Sequence, residues 1–227
     1  VTSIAESIQA VRMRIARAAE AAGRSRDDVK LVVVSKAKSA DAIREAYGAG
    51  ERTFGESYAQ EIEAKARLLG DLPEIEWHFI GHLQSNKAKT IAPLAHMVHT
   101  VDSPSLAREL ARRVLKANRG ALQVLVEVNV AQEPQKHGVA PGELEELMRV
   151  VAAEPALDLR GLMTVPPAED LSVARRAFET LATLRSLHGG TRRLPELSIG
   201  MSHDLEVAVA CGATLVRVGS AIFGPRS

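Results

Sequence analysis

Residues 27–50, "DDVKLVVVSKAKSADAIREAYGAG", decide the fold class. Leu31 to Val34 form a short apolar run of the kind that makes a strand buried on both faces. Ser35 breaks the run and Lys36 follows at its end. Ser39 is then placed to cap a helix over Ala40–Ala49, because its side chain can accept from an unpaired N–H of the first turn. A buried strand passing at once into a helix is the building unit of a parallel sheet. The lysine at that junction has two readings, a solvated strand terminus or an amine held at the mouth of a binding site.

Working outward, the same alternation recurs along the whole chain. Ile4, Ile8, Val11 and Ile15 lie at helical spacing, so an amphipathic helix ending at Gly23 precedes the first strand. Strands are expected at Leu31–Ser35, Arg52–Gly55, Glu76–Gly81, Met97–Asp102, Leu122–Val130, Asp158–Val165, Leu197–Met201 and Thr214–Gly219. Helices are expected between them, at Gln60–Leu69, Asn86–Leu94, Ser105–Asn118, Glu143–Ala153, Ser172–Leu187 and Asp204–Cys211. Strands joined through helices are parallel with right-handed crossovers. Eight such units in 227 residues predict one α/β domain, a closed (β/α)8 TIM barrel spanning residues 1–227, with an open doubly wound sheet as the rival. The segments "QEPQKHGVAPGE", "TVPPAED" and "HGGTRRLPE" read as loops.

Composition narrows the function classes. Lysine plus arginine number 29 against 28 aspartate plus glutamate, a balance with no field to steer nucleic acid or an anionic membrane. The single cysteine, Cys211, cannot form an internal disulfide and suits a reducing compartment. No apolar run approaches the ~20 residues of a membrane span, and charges interrupt the opening segment as they would not in a signal peptide. A soluble cytoplasmic protein, most simply a monomer, is expected.

A barrel of this kind carries function at the C-terminal ends of its strands, frequently with a phosphate site after strands seven and eight. Here "SIGMSHD" follows strand seven, and "VRVGSAIFG" closes strand eight. Glycine lets backbone N–H groups approach an anion, and Ser202 and Ser220 add hydroxyl donors; a ligand-free glycine turn is the competing reading. Closure would set strand one beside strand eight, so Lys36 would stand near this anion site. An amine beside a phosphate pocket fits a phosphorylated carbonyl compound bound as an imine.

At this point the chain resembles the pyridoxal phosphate homeostasis protein family. The resemblance runs nearly end to end, through "LVVVSKAK", "FGESYAQE", "EWHFIGHLQSNK", "GLMTVPP" and "LSIGMSHDLEVAVACGATLVRVGSAIFG". It implies a single barrel like the N-terminal domain of alanine racemase. It also implies pyridoxal 5′-phosphate (PLP) carried as an imine on Lys36, with phosphate contacts at Ser202 and the Gly219-Ser220 turn. Arg217 would face the pyridine nitrogen. An arginine there, being always charged, disfavours a ring proton and weakens carbanion stabilisation. The expected role is PLP buffering or delivery, with PLP-dependent apo-enzymes as candidate partners and no robust turnover. Alanine racemase draws an acid–base group from a second, β-rich domain, which is not expected in a chain ending at Ser227. A PLP-dependent racemase or lyase, and a Schiff-base aldolase acting on a phosphosugar, are the enzyme alternatives. Ser57 stands where the family usually has asparagine, so any contact made by that amide is in question.

Other residues have plainer readings. Ser202, His203 and Asp204 are adjacent and cannot easily converge as a hydrolytic triad. His96 and His99 lie three apart on a strand and face opposite ways, a poor metal pair. His78, between Trp77 and Phe79, reads as a hydrogen-bonded core histidine, and Cys211 as packing. Lys136 before Gly138 matches a K-x-G loop of the family, with a solvated loop lysine as the alternative. No metal site and no catalytic residue is expected.

Overall fold

The alternation closes on itself. The computed structural model describes residues 2–166 and 170–224; positions 167–169 of the expected "TVPPAED" loop lie outside it. Strands β1 (Lys30–Val34), β2 (Thr53–Glu56), β3 (Glu76–Phe79), β4 (Met97–Val101), β5 (Leu122–Glu127), β6 (Leu157–Met163), β7 (Glu196–Ser198) and β8 (Leu215–Val218) pair in parallel, in chain order. β8 returns to β1 in a register running from Lys30 opposite Leu215 to Val33 opposite Val218. The barrel therefore seals at the seam between its first and last strands.

Helices α1 (Ile4–Ala21), α2 (Ala40–Gly48), α3 (Ala59–Leu68), α4 (Ala88–Ile91) and α5 (Pro104–Lys116) surround the first half. The second half has α6 (Leu144–Ala152), α7 (Leu171–Leu187), α8 (Gly190–Arg193), α9 (Leu205–Ala210) and α10 (Ser220–Phe223). Ile8, Val11, Ile15 and Ala19 form the buried stripe of α1, and Ser3 with Glu6 closes a reciprocal capping box at its start. Ser39 caps α2 by accepting from the Ala42 N–H at 3.2 Å, as its position before the helix predicts.

Two apolar layers follow from the strand period. Residues facing outward pack against the helices in one large core. Val32, Met97, Leu125, Met163 and Leu215 face inward and form a separate cluster that plugs the barrel.

Some boundaries differ from the sequence reading. β5 stops at Glu127; Val128 still donates to the Met163 carbonyl at 2.9 Å but forms only an isolated bridge, with Val139. The helix expected at Asn86–Leu94 is a 3-10 turn at Ser85–Lys87 followed by the single turn of α4; Lys87 supplies no side-chain cap and Pro93 follows shortly after. In "HGGTRRLPE" a short helix, α8, is entered through Gly189 at φ +109°.

Candidate functional site

Closure at the β1–β8 seam brings the expected site residues together. Lys36, Ser202, Arg217, Gly219 and Ser220 all line one cavity of about 380 Å³, with Lys38 and Ser57 among its polar neighbours and Val34, Ile80 and Val165 as apolar wall. A larger cavity of about 680 Å³ lies where the strands begin, among α1 and the starts of β1 and β2. Its charged lining is engaged in ion pairs, Arg12 with Glu51 and Lys30 with Glu76. None of the expected residues reaches it.

Gly219 makes the seam tight. A Cβ there would lie 3.0 Å from the carbonyl oxygen and 3.2 Å from the Cβ of Val34. The turn after β8 is thus pressed onto the end of β1, two residues before Lys36, and any side chain at 219 would force the two apart. Gly200, at φ +90°, plays a related part after β7, where an added Cβ would come within 2.4 Å of that of Ala208. The loop beyond it is fixed by Asp204, whose carboxylate accepts the Met201 N–H at 2.6 Å, and by Arg14 of α1, which donates to the Ser202 carbonyl at 3.0 Å. Ser202 Oγ accepts the Ala221 N–H at 3.3 Å and donates to no acceptor among the described residues. That leaves its proton available for an anion. Lys38 Nζ donates to the Phe223 carbonyl at 3.2 Å, so the loop between β1 and α2 also meets α10 across the cavity.

Arg217 enters the barrel interior from β8. Its Nη1 donates to the Ser198 carbonyl at 2.8 Å and to Ser198 Oγ at 2.6 Å, and its Nη2 to the Thr164 carbonyl at 3.0 Å. Burial pushes the guanidinium down to about 10, with Glu127 and Asp204 opposing, so it is a cation at neutral pH. From Ser198 the chain of contacts continues to His99 Nδ1 at 2.9 Å and from His99 Nε2 to His78 Nδ1 at 3.0 Å. Arginine can only donate, so the arrangement that uses the Ser198 hydroxyl proton turns it toward His99 Nδ1. His99 then presents its Nε2–H to His78. Both imidazoles are neutral: burial lowers His78 to about 3 and holds His99 well below its ordinary value.

A second buried network holds the backbone around Lys36. Lys65 donates to the Ser35 carbonyl at 2.8 Å, to Glu56 Oε1 at 2.7 Å and to Glu61 Oε2 at 2.8 Å. Ser35 Oγ donates to Glu56 Oε1 at 2.7 Å, and Glu61 Oε2 accepts the Ala37 N–H at 2.8 Å. Ala37 sits at φ +58°, a conformation an L residue adopts only when its surroundings require it. Lys36 is therefore bracketed by two residues pinned to one ion cluster. Burial pushes the Glu56 carboxyl up, against the pull of Lys65 and Ser35. For Glu61 burial acts in the same sense, but bonds from Lys65 and the Ala37 N–H outweigh it and the net shift is downward.

The sequence reading missed this cluster and the interior chain, although it recognised His78 as a hydrogen-bonded core histidine. His96 and His99 do face apart: His96 is exposed and accepts the Trp77 N–H at 3.1 Å, while His99 is fully buried. His203 lines the cavity, but Asp204 is committed to the loop backbone and forms no triad with it. Lys136 lies outside the cavity lining, its Nζ 3.0 Å from Glu133 Oε1. Cys211 packs half-buried beside the core. Among the described residues no helix is long and apolar enough to cross a membrane.

The "Alanine racemase, N-terminal domain" family matches residues 7–227. The pyridoxal phosphate homeostasis protein of Pseudomonas aeruginosa is 46% identical over 99% of this chain and 96% of its own length. That of Escherichia coli is 43% identical over 98% and 97%. PipY of Synechococcus elongatus, solved without and with PLP bound, superposes at TM-scores of 0.87 and 0.82 with 36% identity, covering 98% of this chain and 100% of PipY. With a shared barrel and identity running almost from end to end, the chain belongs to the alanine racemase N-terminal-domain family and, within it, to the pyridoxal phosphate homeostasis proteins.

Proposed function

We propose that this protein holds PLP reversibly on Lys36 and serves intracellular PLP homeostasis, buffering the cofactor or passing it to apo-enzymes, without robust turnover of its own. The observation that carries the reading is the meeting of Lys36, Ser202, Arg217, Gly219 and Ser220 around one cavity at the β1–β8 seam. The residues present fit the cofactor. The Lys36 amine shares the cavity with the Ser202 hydroxyl, which donates to no acceptor among the described residues, and with the Gly219-Ser220 turn. When bound, PLP supplies an aldehyde that condenses reversibly with amines.

The chain's own groups divide the work. Ser202 and the Gly219-Ser220 turn would grip the phosphate, and Lys36 would make the covalent attachment. Arg217, held from behind by Ser198 and Thr164, would face the pyridine nitrogen as a cation and discourage its protonation, which would weaken the ring as an electron sink. That balance suits reversible holding better than racemisation or decarboxylation, and the protein acts as a single-domain monomer in the cytoplasm.

Incubation with PLP, borohydride reduction and peptide mass mapping tests the attachment. One cofactor is expected on Lys36, and Lys36→Ala should take up none; equal labelling of that variant would refute the assignment. Rapid deuterium exchange at the α-carbon of an amino acid in D2O would replace the reading with a racemase. A phosphosugar adduct formed without PLP would replace it with an aldolase.

A further inference from the structure

On the far side of the barrel mouth from Lys36, three side chains from successive strand ends converge. His82 follows β3, Asp102 follows β4, and His137 lies on the loop between β5 and α6. One ligand atom from each lies within 4.8 Å of the others. His82 Nδ1 is 3.5 Å from Asp102 Oδ2, and the two imidazoles stack with centroids 3.6 Å apart and planes 9° from parallel. The ring nitrogens of His137 have no hydrogen-bond partner among the described residues.

We propose that His82, Asp102 and His137 form a binding site for a divalent transition-metal ion of the zinc class at the mouth of the barrel. Two imidazoles and one carboxylate are borderline donors that favour zinc and its neighbours over magnesium or calcium. Three protein ligands leave a coordination position open to solvent or an incoming ligand. Ligands on a tetrahedral ion, each about 2.0 Å from it, sit roughly 3.3 Å apart. The stacked rings would have to part and rotate to bring their nitrogens to that spacing, which the exposure of both His82 and His137 allows.

The backbone beneath them is already fixed. Thr100 Oγ1 donates to the Gly81 carbonyl at 2.6 Å, joining the ends of β3 and β4. The Asn129 side chain spans the loop carrying His137, donating to the Glu133 carbonyl at 2.8 Å and accepting its N–H at 3.2 Å. Gly138, at φ +107°, sits so close to Asn129 N that a Cβ would approach within 2.6 Å, which holds His137 over the strand ends.

Calorimetric titration of the full, chelator-treated chain with Zn2+ tests the site. One equivalent should bind saturably and raise the melting temperature. His82→Ala and His137→Ala should each weaken binding by on the order of 100-fold, and Asp102→Asn by about 10-fold. His188→Ala, away from the cluster, should bind as the parent does. Both histidines are exposed, so the variants should melt like the parent when zinc is absent. Lys36→Ala should retain full zinc affinity, which keeps this site distinct from the cofactor reading. No saturable binding at millimolar Zn2+, or binding that survives loss of both histidines, would overturn the proposal.

Discussion

Replacing His78 with asparagine and following stability from about pH 7.5 to 4.5 tests the neutral interior directly. Unfolded, His78 takes up a proton near its ordinary value of 6.5, whereas burial in the barrel lowers it to about 3. Between those values only the unfolded state binds the proton, so the folded state loses stability as the pH falls. Over this range the linkage amounts to about 2.7 kcal/mol from His78. His99, lowered for the same reason, acts in the same direction. Glu127 acts in the opposite one. Burial first, then the charge of Asp102, raise it to about 7, so the folded state keeps its proton below that value and gains stability on acidification. An acid melt of the parent alone therefore reads a sum of opposed contributions. The difference between parent and His78→Asn cancels what they share. The variant should be less stable near pH 7.5 by about 1–3 kcal/mol, because the bond to His99 is disturbed. That gap should narrow by about 2.7 kcal/mol by pH 4.5, since asparagine does not titrate. Urea midpoints at several pH values measure it, and a gap independent of pH would refute the claim that His78 is neutral in the fold.

If Ser202 grips the phosphate as proposed, Ser202→Ala removes a donor worth about 1.5–3 kcal/mol and should weaken PLP binding roughly 10- to 100-fold; a PLP-induced rise in melting temperature equal to the parent's would remove Ser202 from the site. Lys65→Met leaves Glu56 and Glu61 without their shared cation and should cost about 3–5 kcal/mol in denaturant unfolding, along with slower labelling of Lys36 as the Ser35–Ala37 turn loosens. The deficit should shrink at lower pH as the stranded carboxylates take up protons. A loss below about 1 kcal/mol would show that the cluster does not hold the turn.

The strand ends carried the site because a closed barrel makes them converge, and closure follows from counting eight strand–helix units. Lys36 and Gly219 are 183 residues apart in the chain, yet the count alone makes their strands neighbours. What the count does not contain is which inward-facing residues touch. The Glu56–Lys65 contact joins a strand end to the helix that follows it. Its local trace is the four-residue spacing of Glu61 and Lys65, a pattern equally at home on a solvated helix face. Only burial tells the two apart, and burial is a property of the closed structure.

The polar chain inside the barrel did leave a trace, in the two-residue period of the strands. Side chains two apart on a strand face the same way. The apolar plug includes Met97, Leu125 and Leu215. Two residues further along the same strands stand His99, Glu127 and Arg217, each buried. Three strands thus change from apolar to ionisable two residues beyond their plug residue. Taken singly, His99 and Glu127 look like strands running out into solvent, and that is why strand-by-strand reading passes over their burial; Arg217 is singled out by the family resemblance alone. Taken together, with a plug below and a closed wall around, they cannot reach bulk water from the side: Arg217 and His99 find partners in Ser198, while Glu127 Oε2 has none among the described residues. Arg217 bonding to Ser198, and Ser198 to His99, is the consequence. A cationic, structurally anchored end to the cavity then follows from strand period and closure, before any ligand enters the argument.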